Sequence, residues 1–336
     1  MKIKTSIVGV SGYTGLELVK LLIHHTVFEL NAVYASENHQ ELSALHCCLK
    51  DVIKLPVSEA NLTQIAQESE LVFLALPHQK AMEYVKGLYD KGVKIVDLSA
   101  DYRLSLEKYE ENYCTHLDKE NLKNAVYGLP EYNRSQIAKT SLVANPGCYP
   151  TASLLAILPF IPYLDLNHTL YIDAKSGVSG AGKKLAQTSH FVTINENLFA
   201  YSPINHRHSS EINEQLKKLG KENLKALFVP HLIPLTRGML VSVYARLKEP
   251  IEALEILQTK YNNEPFVRVR RTCSQIKNVA GTHFCDIFAK TDGLDLFITS
   301  SIDNLLRGAS SQALANANLM FGLEESLGLP QIAYAP

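Results

Sequence analysis

The sequence has no marked excess of either charge, because 33 lysines and arginines face 34 aspartates and glutamates in 336 residues. A near-neutral chain offers no basic surface for nucleic acid or for an anionic membrane. The sequence also lacks an apolar run of the roughly 18 residues that a membrane-spanning helix needs. These absences direct the search for function towards small-molecule chemistry.

The six cysteines form no C-x-x-C pair and no regular spacing. Neither a zinc site nor a disulfide framework is therefore indicated, and we predict no metal. The residues Met1–Lys4 do not have the pattern of a signal peptide. We accordingly expect the protein in a reducing cytoplasm. The length predicts about two domains, and a hydrophobic content of 46% is ordinary for a globular enzyme.

A glycine-rich turn follows the first strand pattern of the chain. Lys4–Val10 is typical of a buried strand, and it runs into Gly9–Gly15 with a helix pattern behind it. Glycines at such a turn let a pyrophosphate approach the helix N-terminal amides. The second strand pattern, Phe28–Ala35, ends at Ser36, where an NAD site carries an acidic residue for the ribose. A hydroxyl there tolerates a 2′-phosphate, so the pattern favours NADP, although Glu37 is adjacent.

Strand and helix patterns alternate through the first 147 residues, which predicts a parallel sheet. Ligands bind at the carboxyl ends of the strands in such sheets. Pro77 follows the strand pattern Leu71–Leu76, and Arg103 follows Lys94–Leu98. A guanidinium suits recognition of phosphate or carboxylate. An ion pair with Asp101 is the alternative for Arg103.

A cysteine stands where the next strand pattern gives way to a helix pattern, in Asn-Pro-Gly-Cys-Tyr-Pro-Thr at positions 145–151. Pro150 is suited to the first turn of a helix. Cys148 is therefore expected at or just before a helix N-terminus, whose partial positive charge favours a thiolate. A buried structural cysteine is the alternative.

The strand patterns change after Cys148. Val241–Arg246 alternates between apolar and polar residues, as antiparallel strands with one exposed face do. Ser310–Leu327 has helical spacing and would bury its apolar stripe on the first domain. We predict an α/β fold: a Rossmann-type parallel-sheet dinucleotide-binding domain over 1–147 and an α+β catalytic and dimerisation domain with a largely antiparallel sheet over 148–312. A C-terminal helix over 313–336 would pack back on the first.

Two stretches of the second domain carry candidate chemistry. The glycines and hydroxyls of Lys175–Gly182 could cradle phosphate or nicotinamide, with a flexible loop as the alternative. His206–His208 opens a helix pattern, and one of its histidines beside Cys148 would give a thiolate–imidazolium pair. His231 and Arg237 form a candidate anion-binding pair, or belong to an ordinary proline-stiffened loop.

A nucleophilic cysteine, a dinucleotide turn and several anion-binding arginines together indicate reduction of an acyl phosphate to an aldehyde. The thiolate attacks the acyl carbon and expels phosphate, leaving a thioester. Hydride from a nicotinamide reduces the thioester, and the hemithioacetal collapses while a histidine moves the proton on oxygen.

These motifs resemble the N-acetyl-γ-glutamyl-phosphate reductases, which share their architecture with aspartate-semialdehyde dehydrogenase. The stretches that carry the resemblance run in the order of that family, namely Gly9–Gly15, Ser99–Arg103, Tyr127–Glu131, Asn145–Thr151, His206–His208 and Pro230–Gly238. The resemblance implies NADPH-dependent reduction of N-acetylglutamyl 5-phosphate to the 5-semialdehyde, in arginine biosynthesis. It also implies a homo-oligomer, a dimer or tetramer, with no nucleic-acid or membrane partner.

The resemblance assigns roles to individual residues. Cys148 becomes the nucleophile, with His206 or His208 as the acid/base and His208 preferred. The cofactor-binding set is Gly9, Ser11, Gly12, Tyr13, Thr14, Gly15, Ser36, Pro77, Ser176, Gly177, Ser179, Gly180 and Asn304. The substrate-binding set is Arg103, Asn145, Arg207, Glu211, His231 and Arg237.

Three other readings compete with this one. The substrate could be a related acyl phosphate, such as aminoadipyl or aspartyl phosphate. The chain could be a non-catalytic NADP-binding regulator, although a sensor needs neither Cys148 nor the histidines. A cysteine hydrolase would leave the glycine turn without a role.

Overall fold

The computed structural model describes residues 2–220 and 224–335, which form two compact units. The first contains the chain up to Gly147 together with Ala309–Leu329, and the second contains Cys148–Gly308 and the residues from Pro330 on. Met1 and Pro336, the outer limits of the predicted domains, lie outside the described residues, as do residues 221–223.

Strands and helices alternate in the first unit, whereas strands predominate in the second. The strands are β1 (Ile3–Val8), β2 (Phe28–Ala35), β3 (Val57–Glu59), β4 (Leu71–Leu74), β5 (Lys94–Asp97), β6 (Val126–Tyr127), β7 (Leu142–Ala144), β8 (Leu170–Gly177), β9 (Phe199–Ala200), β10 (Ala226–Ile233), β11 (Met239–Arg246), β12 (Val267–Val269), β13 (Cys285–Asp292) and β14 (Asp295–Ile302). The helices are α1 (Tyr13–Ile23), α2 (Leu62–Glu68), α3 (Ala81–Leu88), α4 (Leu106–Asn112), α5 (Lys119–Leu122), α6 (Pro130–Ile137), α7 (Cys148–Ile157), α8 (Phe191–Ile194), α9 (Arg207–Gly220), α10 (Ala253–Tyr261) and α11 (Ser311–Met320). Within the described residues, no helix is both long and apolar enough to cross a membrane.

The first unit is built on a parallel sheet of seven strands in the order β3-β2-β1-β4-β5-β7-β6. β4 and β7 are apolar and buried along their whole length. Such continuous apolar runs are typical of parallel strands that are covered on both faces. The strand order reverses between β1 and β4, which is where open α/β sheets bind their ligands. The predicted Rossmann-type parallel sheet is confirmed.

β1 ends two residues earlier than its apolar pattern predicts. Gly9 has a positive φ of 93°, and a Cβ there would lie 2.3 Å from the carbonyl oxygen of Ala75. The N–H groups of Gly9 and Val10 both donate to Tyr34 O, so the chain turns across the end of β2. Gly9 and Val10 therefore belong to the turn.

The second unit contains a mixed sheet in the order β12-β13-β14-β11-β8-β10-β9. Four of its six pairings are antiparallel, while β8–β10 and β12–β13 are parallel. The prediction of a largely antiparallel sheet is confirmed, but alternation along single strands did not reveal the parallel pairs. α7 is apolar on all sides and packs against β11 and β14, so it forms the core of this unit.

The C-terminal segment is divided between the units. α11 belongs to the first unit and ends at Met320, earlier than the predicted helix, because Asn318 Nδ2 donates to Glu325 O and Leu327 O and holds a turn. The residues after Leu329 belong to the second unit, where His283 N–H donates to Pro330 O at 2.8 Å. Only the part of the predicted C-terminal segment up to Leu329 therefore belongs to the first unit.

Candidate active site

The turn between β1 and α1 leaves the amino end of α1 open to an anion. Gly12 precedes the helix without a side-chain cap, and the first turn carries no acidic residue. A Cβ on Gly15 would lie 2.6 Å from Gly9 O, so the helix rests directly on the turn. At Gly12 the nearest atom would be 3.9 Å away, which leaves open space over the amides. The turn fits the pyrophosphate of a dinucleotide.

A buried histidine fastens this turn to the loop that follows β2. His46 Nε2 lies 2.8 Å from Val10 O, and both groups are buried. A carbonyl oxygen only accepts, so Nε2 carries the proton. His46 therefore fixes the carbonyl in the middle of the glycine turn.

The end of β2 opens onto solvent, where Ser36 and Glu37 are both exposed. The loop that follows encloses an open pocket of about 480 Å³. Its lining residues are His39, Gln40, Glu41, Ser43, Ala44, Cys47 and Lys50. Lys50 is the one basic side chain among these lining residues apart from His39.

The loops that follow β4 and β5 are hydrogen-bonded to each other. Asp101 accepts from the N–H groups of Gln79 and Ala81 at 2.7 and 3.0 Å. His78 Nδ1 accepts from Ala100 N–H at 2.9 Å, so this histidine supports the loop. Burial, followed by the negative charge of Asp101, raises the pKa of Asp97 to about 7. Pro77 is exposed beside this network.

Arg103 and Asn145 make hydrogen bonds within the first unit. Arg103 is only 5% exposed, and its guanidinium donates to Leu98 O and Asn145 O, both at 2.7 Å. The Asn145 side chain is fully buried, donates to Ala309 O and accepts from Asn316 Nδ2. This geometry favours positioning of the Asn-Pro-Gly-Cys loop over direct substrate binding for both residues.

Cys148 is the first residue of α7 and is partly exposed, whereas the rest of that helix is buried. The predicted placement of this cysteine at a helix start is confirmed. The amino end of a helix carries a partial positive charge, which stabilises an adjacent thiolate.

The residue after the cysteine is the centre of an aromatic cluster. The Tyr149 ring lies 5.9 Å from His206, 5.8 Å from His208 and 5.1 Å from Phe228, between ring centroids. Its hydroxyl donates to His231 O and accepts from Tyr201 Oη at 3.2 Å. Burial raises the pKa of Tyr149 far above its usual value. Through Tyr149, the chain brings both predicted histidines into the same unit and neighbourhood as Cys148.

The two histidines are held differently. His206 Nδ1 accepts from His208 N–H at 3.1 Å, so the imidazole caps the amino end of α9. The proton of neutral His206 is therefore on Nε2. Burial, followed by the positive charge of Arg207, lowers the pKa of His206 to about 4. A pKa lowered in this way favours the neutral imidazole, which presents Nε2–H as a hydrogen-bond donor.

His208 lies in the first turn of α9 and is 8% exposed. Glu211 follows three residues later on the same helix face and is 2% exposed. Arg207, by contrast, is exposed and can meet an anion. Of the predicted substrate residues in this unit, Arg207 has the placement that anion binding needs.

The predicted nicotinamide loop begins later than expected, because β8 extends through Ser176 and Gly177. The loop itself is the turn Val178–Ala181, which contains Ser179 and Gly180. Asn304 donates to Ser179 Oγ at 3.0 Å and accepts from Gly238 N–H at 2.6 Å. Asn304 therefore holds the loop in place, because both the nitrogen and the oxygen of its side-chain amide are hydrogen-bonded.

The structure separates His231 from the cluster. Side chains alternate along β10, and Phe228 lies on the buried face with the Tyr149 cluster, so His231 projects from the opposite face. There its Nδ1 lies 3.1 Å from Asp173 Oδ1. This placement favours a structural contact with Asp173 over substrate binding for His231.

Arg237 has a structural partner that also argues against substrate binding. Its Nε and Nη2 lie 2.8 and 3.1 Å from the carboxylate of Asp303, which is fully buried. A guanidinium in a bidentate pair with a buried carboxylate has its charge compensated. These contacts favour a structural role for both members of the predicted anion-binding pair, His231 and Arg237.

No group of three or more histidine, cysteine, aspartate or glutamate side chains that could hold a metal occurs in residues 2–220 and 224–335.

Two family models match the chain, one over each unit. A model described as the NAD-binding domain of semialdehyde dehydrogenase matches residues 4–140, and one described as the dimerisation domain matches residues 148–304. An N-acetyl-gamma-glutamyl-phosphate reductase of Wolinella succinogenes is 61% identical over 335 residues, which cover 100% of this chain and 99% of that protein. One from a Sulfurovum species is 57% identical, covering 99% of this chain and 100% of that protein.

The chain belongs to the N-acetyl-gamma-glutamyl-phosphate reductase family.

Membership in this reductase family makes the protein an oxidoreductase with a domain for a nicotinamide dinucleotide. Solved structures give the same fold at low identity. An aspartate semialdehyde dehydrogenase with NADP from Candida albicans matches with a TM-score of 0.73 and 15% identity, over 96% of this chain and 99% of that one. Aspartate semialdehyde dehydrogenase II from Vibrio cholerae, complexed with ASA, matches with 0.72 and 14%, over the same shares.

Three residues that hold parts of the candidate site were not found from sequence. His46 holds the glycine turn, Tyr201 bonds to Tyr149, and Asp303 anchors the segment before Asn304. Tyr201 and Asp303 each lie close in sequence to a motif that was identified. His46 gave no signal of its own, since its contact joins residues 36 positions apart.

Proposed function

We propose that the protein reduces N-acetyl-L-glutamyl 5-phosphate to N-acetyl-L-glutamate 5-semialdehyde and phosphate, using NADPH, in arginine biosynthesis. The observation that carries the proposal is full-length identity of 61% to a reductase of that name. The chain supplies a cysteine at a helix start and two histidines around Tyr149, as a thioester route requires.

Cys148 is the nucleophile in this proposal. Its thiolate attacks the acyl carbon and the carbon–oxygen bond to phosphate breaks, which leaves a thioester on Sγ and free phosphate. The amino end of α7 stabilises the thiolate before the attack. Arg207, exposed at the start of α9, binds an anionic group of the substrate.

The two histidines take different tasks. His206 is neutral and presents Nε2–H, so it suits donation of a hydrogen bond to the acyl oxygen as negative charge develops there. The proton transfer then falls to His208, which protonates the oxygen as the hemithioacetal forms and takes that proton back as the carbon–sulfur bond breaks. Breakage returns the thiolate and releases the aldehyde.

The residues of the first unit fit the cofactor. A bound nicotinamide dinucleotide supplies the hydride. Gly12, Tyr13 and Thr14 offer the amides of the α1 start to the pyrophosphate, and His46 holds that turn. We assign the preference to NADP because Ser36 leaves room for a 2′-phosphate and Lys50 lines the neighbouring pocket. The structure of the Candida albicans aspartate semialdehyde dehydrogenase, which has the same fold, contains NADP.

Replacing Ser36 with aspartate is expected to weaken use of NADP. A carboxylate at this position repels the 2′-phosphate and accepts from a ribose 2′-hydroxyl instead. Losing a charged interaction of this kind should shift the NADP-to-NAD ratio of kcat/KM by about tenfold to a hundredfold. Steady-state rates with both cofactors measure the ratio. Ser135→Asp, at an exposed serine of α6, is the matched control. An unchanged ratio in Ser36→Asp removes Ser36 from the cofactor site.

The reaction run backwards tests the substrate and the cofactor together. Protein is mixed with N-acetylglutamate semialdehyde, phosphate and NADP or NAD, and reduction of the nicotinamide is followed by absorbance. Phosphate-dependent reduction with NADP supports the proposal. Activity only with aspartate semialdehyde or an aminoadipate semialdehyde would keep the reaction class and reject the substrate. No activity with tight NADP binding would favour a regulator.

We propose further that the protein is a homo-oligomer that pairs through one face of the second sheet. Tyr171 and Tyr244 are cross-strand partners on that face and are 50% and 47% exposed. Phe297 pairs with Tyr244 on the next strand, with the rings 5.4 Å apart. Large aromatic side chains exposed together are typical of interfaces. The matched family model, described as a dimerisation domain, supports this choice.

Placing a charge on this face should separate the subunits. Tyr244→Asp buries an unpaired carboxylate in the proposed interface, so we expect the mass in solution to fall to that of one chain. Light scattering after size-exclusion chromatography measures the mass. Val52→Asp, at an exposed apolar residue of the first unit, should leave it unchanged. An unchanged mass for Tyr244→Asp would move the interface elsewhere.

A further inference from the structure

The segment Asp303–Gly308 lies directly behind the cysteine. Gly308 has no side chain, and a Cβ placed on it would lie 2.6 Å from Cys148 Cβ and 3.1 Å from Cys148 Cα. Real Cβ atoms do not approach other carbon atoms so closely, so any side chain at this position must displace the cysteine or the segment. The backbone of Gly308 is therefore the surface against which Cys148 rests.

The backbone of this segment has an unusual turn. Gly308 N–H donates to Asp303 O at 2.9 Å, five residues back, and a π-helix covers Leu306–Ser310. Single π-turns are rare and occur frequently at functional sites.

Asp303 holds the segment in place. Its carboxylate is fully buried and accepts from the N–H groups of Leu305, Leu306 and Gly281, at 2.9, 3.1 and 2.7 Å. The bidentate pair with Arg237 compensates its charge. A buried carboxylate with this many donors fixes the backbone around it.

We propose that Asp303–Gly308 is a rigid support that sets the position of the Cys148 side chain, with Gly308 as its contact surface and Asp303 as its anchor. Asn304 extends the same support to the turn Val178–Ala181 by its bond to Ser179. Gly308 and Asp303 are positioning residues that act through Cys148, and Asn304 is one that acts through the turn Val178–Ala181. The inference rests on the proposed role of Cys148 as nucleophile.

The variant Gly308→Ala tests the support. Displacing a reacting atom by about 1 Å costs about 10²-fold in rate, so we expect kcat to fall by that order with the KM for NADPH unchanged. Site-resolved alkylation of Cys148 with iodoacetamide, followed by mass spectrometry against pH, should also slow, because the thiol leaves the helix amides. Gly87→Ala is the matched control. That glycine is also helical, and the three atoms nearest to its added Cβ would all belong to the flexible Leu62 side chain.

Wild-type kcat and a wild-type alkylation profile in Gly308→Ala would overturn the inference. If the wild-type protein does not reduce the proposed substrate, the proposed function fails, yet alkylation still tests the support. If Gly308→Ala does not fold, the double variant Cys148→Gly, Gly308→Ala decides the matter. The alanine should be less destabilising once the opposing Cβ is gone, and an equal loss of folding in both backgrounds contradicts the contact.

Discussion

Replacing Cys148 with serine is expected to lower the turnover of the acyl phosphate by about 10⁴-fold or more. A serine hydroxyl is not ionised at neutral pH, and the start of α7 stabilises a thiolate far better than it creates an alkoxide. Binding of NADP should stay near the wild-type value, because the glycine turn belongs to the other unit. Turnover and fluorescence titration with NADPH measure the two effects separately.

Cys273→Ser is the control for this prediction. Cys273 is exposed in the same unit and lies outside the Tyr149 cluster, so the same substitution there should change neither rate nor binding. The sharpest test is a rapid-quench burst. With excess acyl phosphate and no cofactor, the wild-type enzyme should release about one phosphate per Cys148 as the thioester forms. A burst of equal size in Cys148→Ser would reject the covalent route.

Much of the first unit could be predicted from sequence because its signals are local. A buried parallel strand such as β4 is a continuous apolar run, and β2 begins and ends where its strand pattern does. The glycine turn has a mechanism that depends on residues a few positions apart. The end of β1 was predicted two residues too late, because it depends on hydrogen bonds to Tyr34 O that sequence spacing does not reveal.

The candidate site was only partly predictable, because sequence identifies residue types and not their partners. Arg103, Arg237 and His231 all look like anion ligands in a one-dimensional pattern. In the folded chain, Arg103 donates to backbone carbonyls, and Arg237 pairs with a buried carboxylate. The alternation along β10 places His231 on the other face of the sheet. The role of each of these three residues therefore depends on contacts with segments that are distant in the sequence.

The assignment of the two histidines predicts different pH behaviour for their variants. His208→Asn should lower kcat by about 10² to 10⁴-fold and remove one limb of the pH profile, since the proton transfer is lost. His206→Asn should cost less and keep the shape of the profile. Asparagine is a good helix cap, so its Oδ1 can accept from His208 N–H while its Nδ2–H replaces the donor on Nε2. Profiles of kcat for both variants measure the difference.

The pH dependence of the free energy of unfolding provides a second test of the state of His206 in these variants. The pKa of His206 is about 4 in the fold and 6.5 in the unfolded chain, so the unfolded state binds more protons between these values. The contribution of His206 to stability is therefore complete above pH 6.5 and is lost as the pH falls to about 4. His206→Asn should flatten that part of the unfolding curve, whereas His208→Asn should keep the His206 contribution. If His206→Asn instead shows the larger loss of kcat and the missing limb, the acid/base is His206, and burial in the free enzyme is relieved when substrate binds.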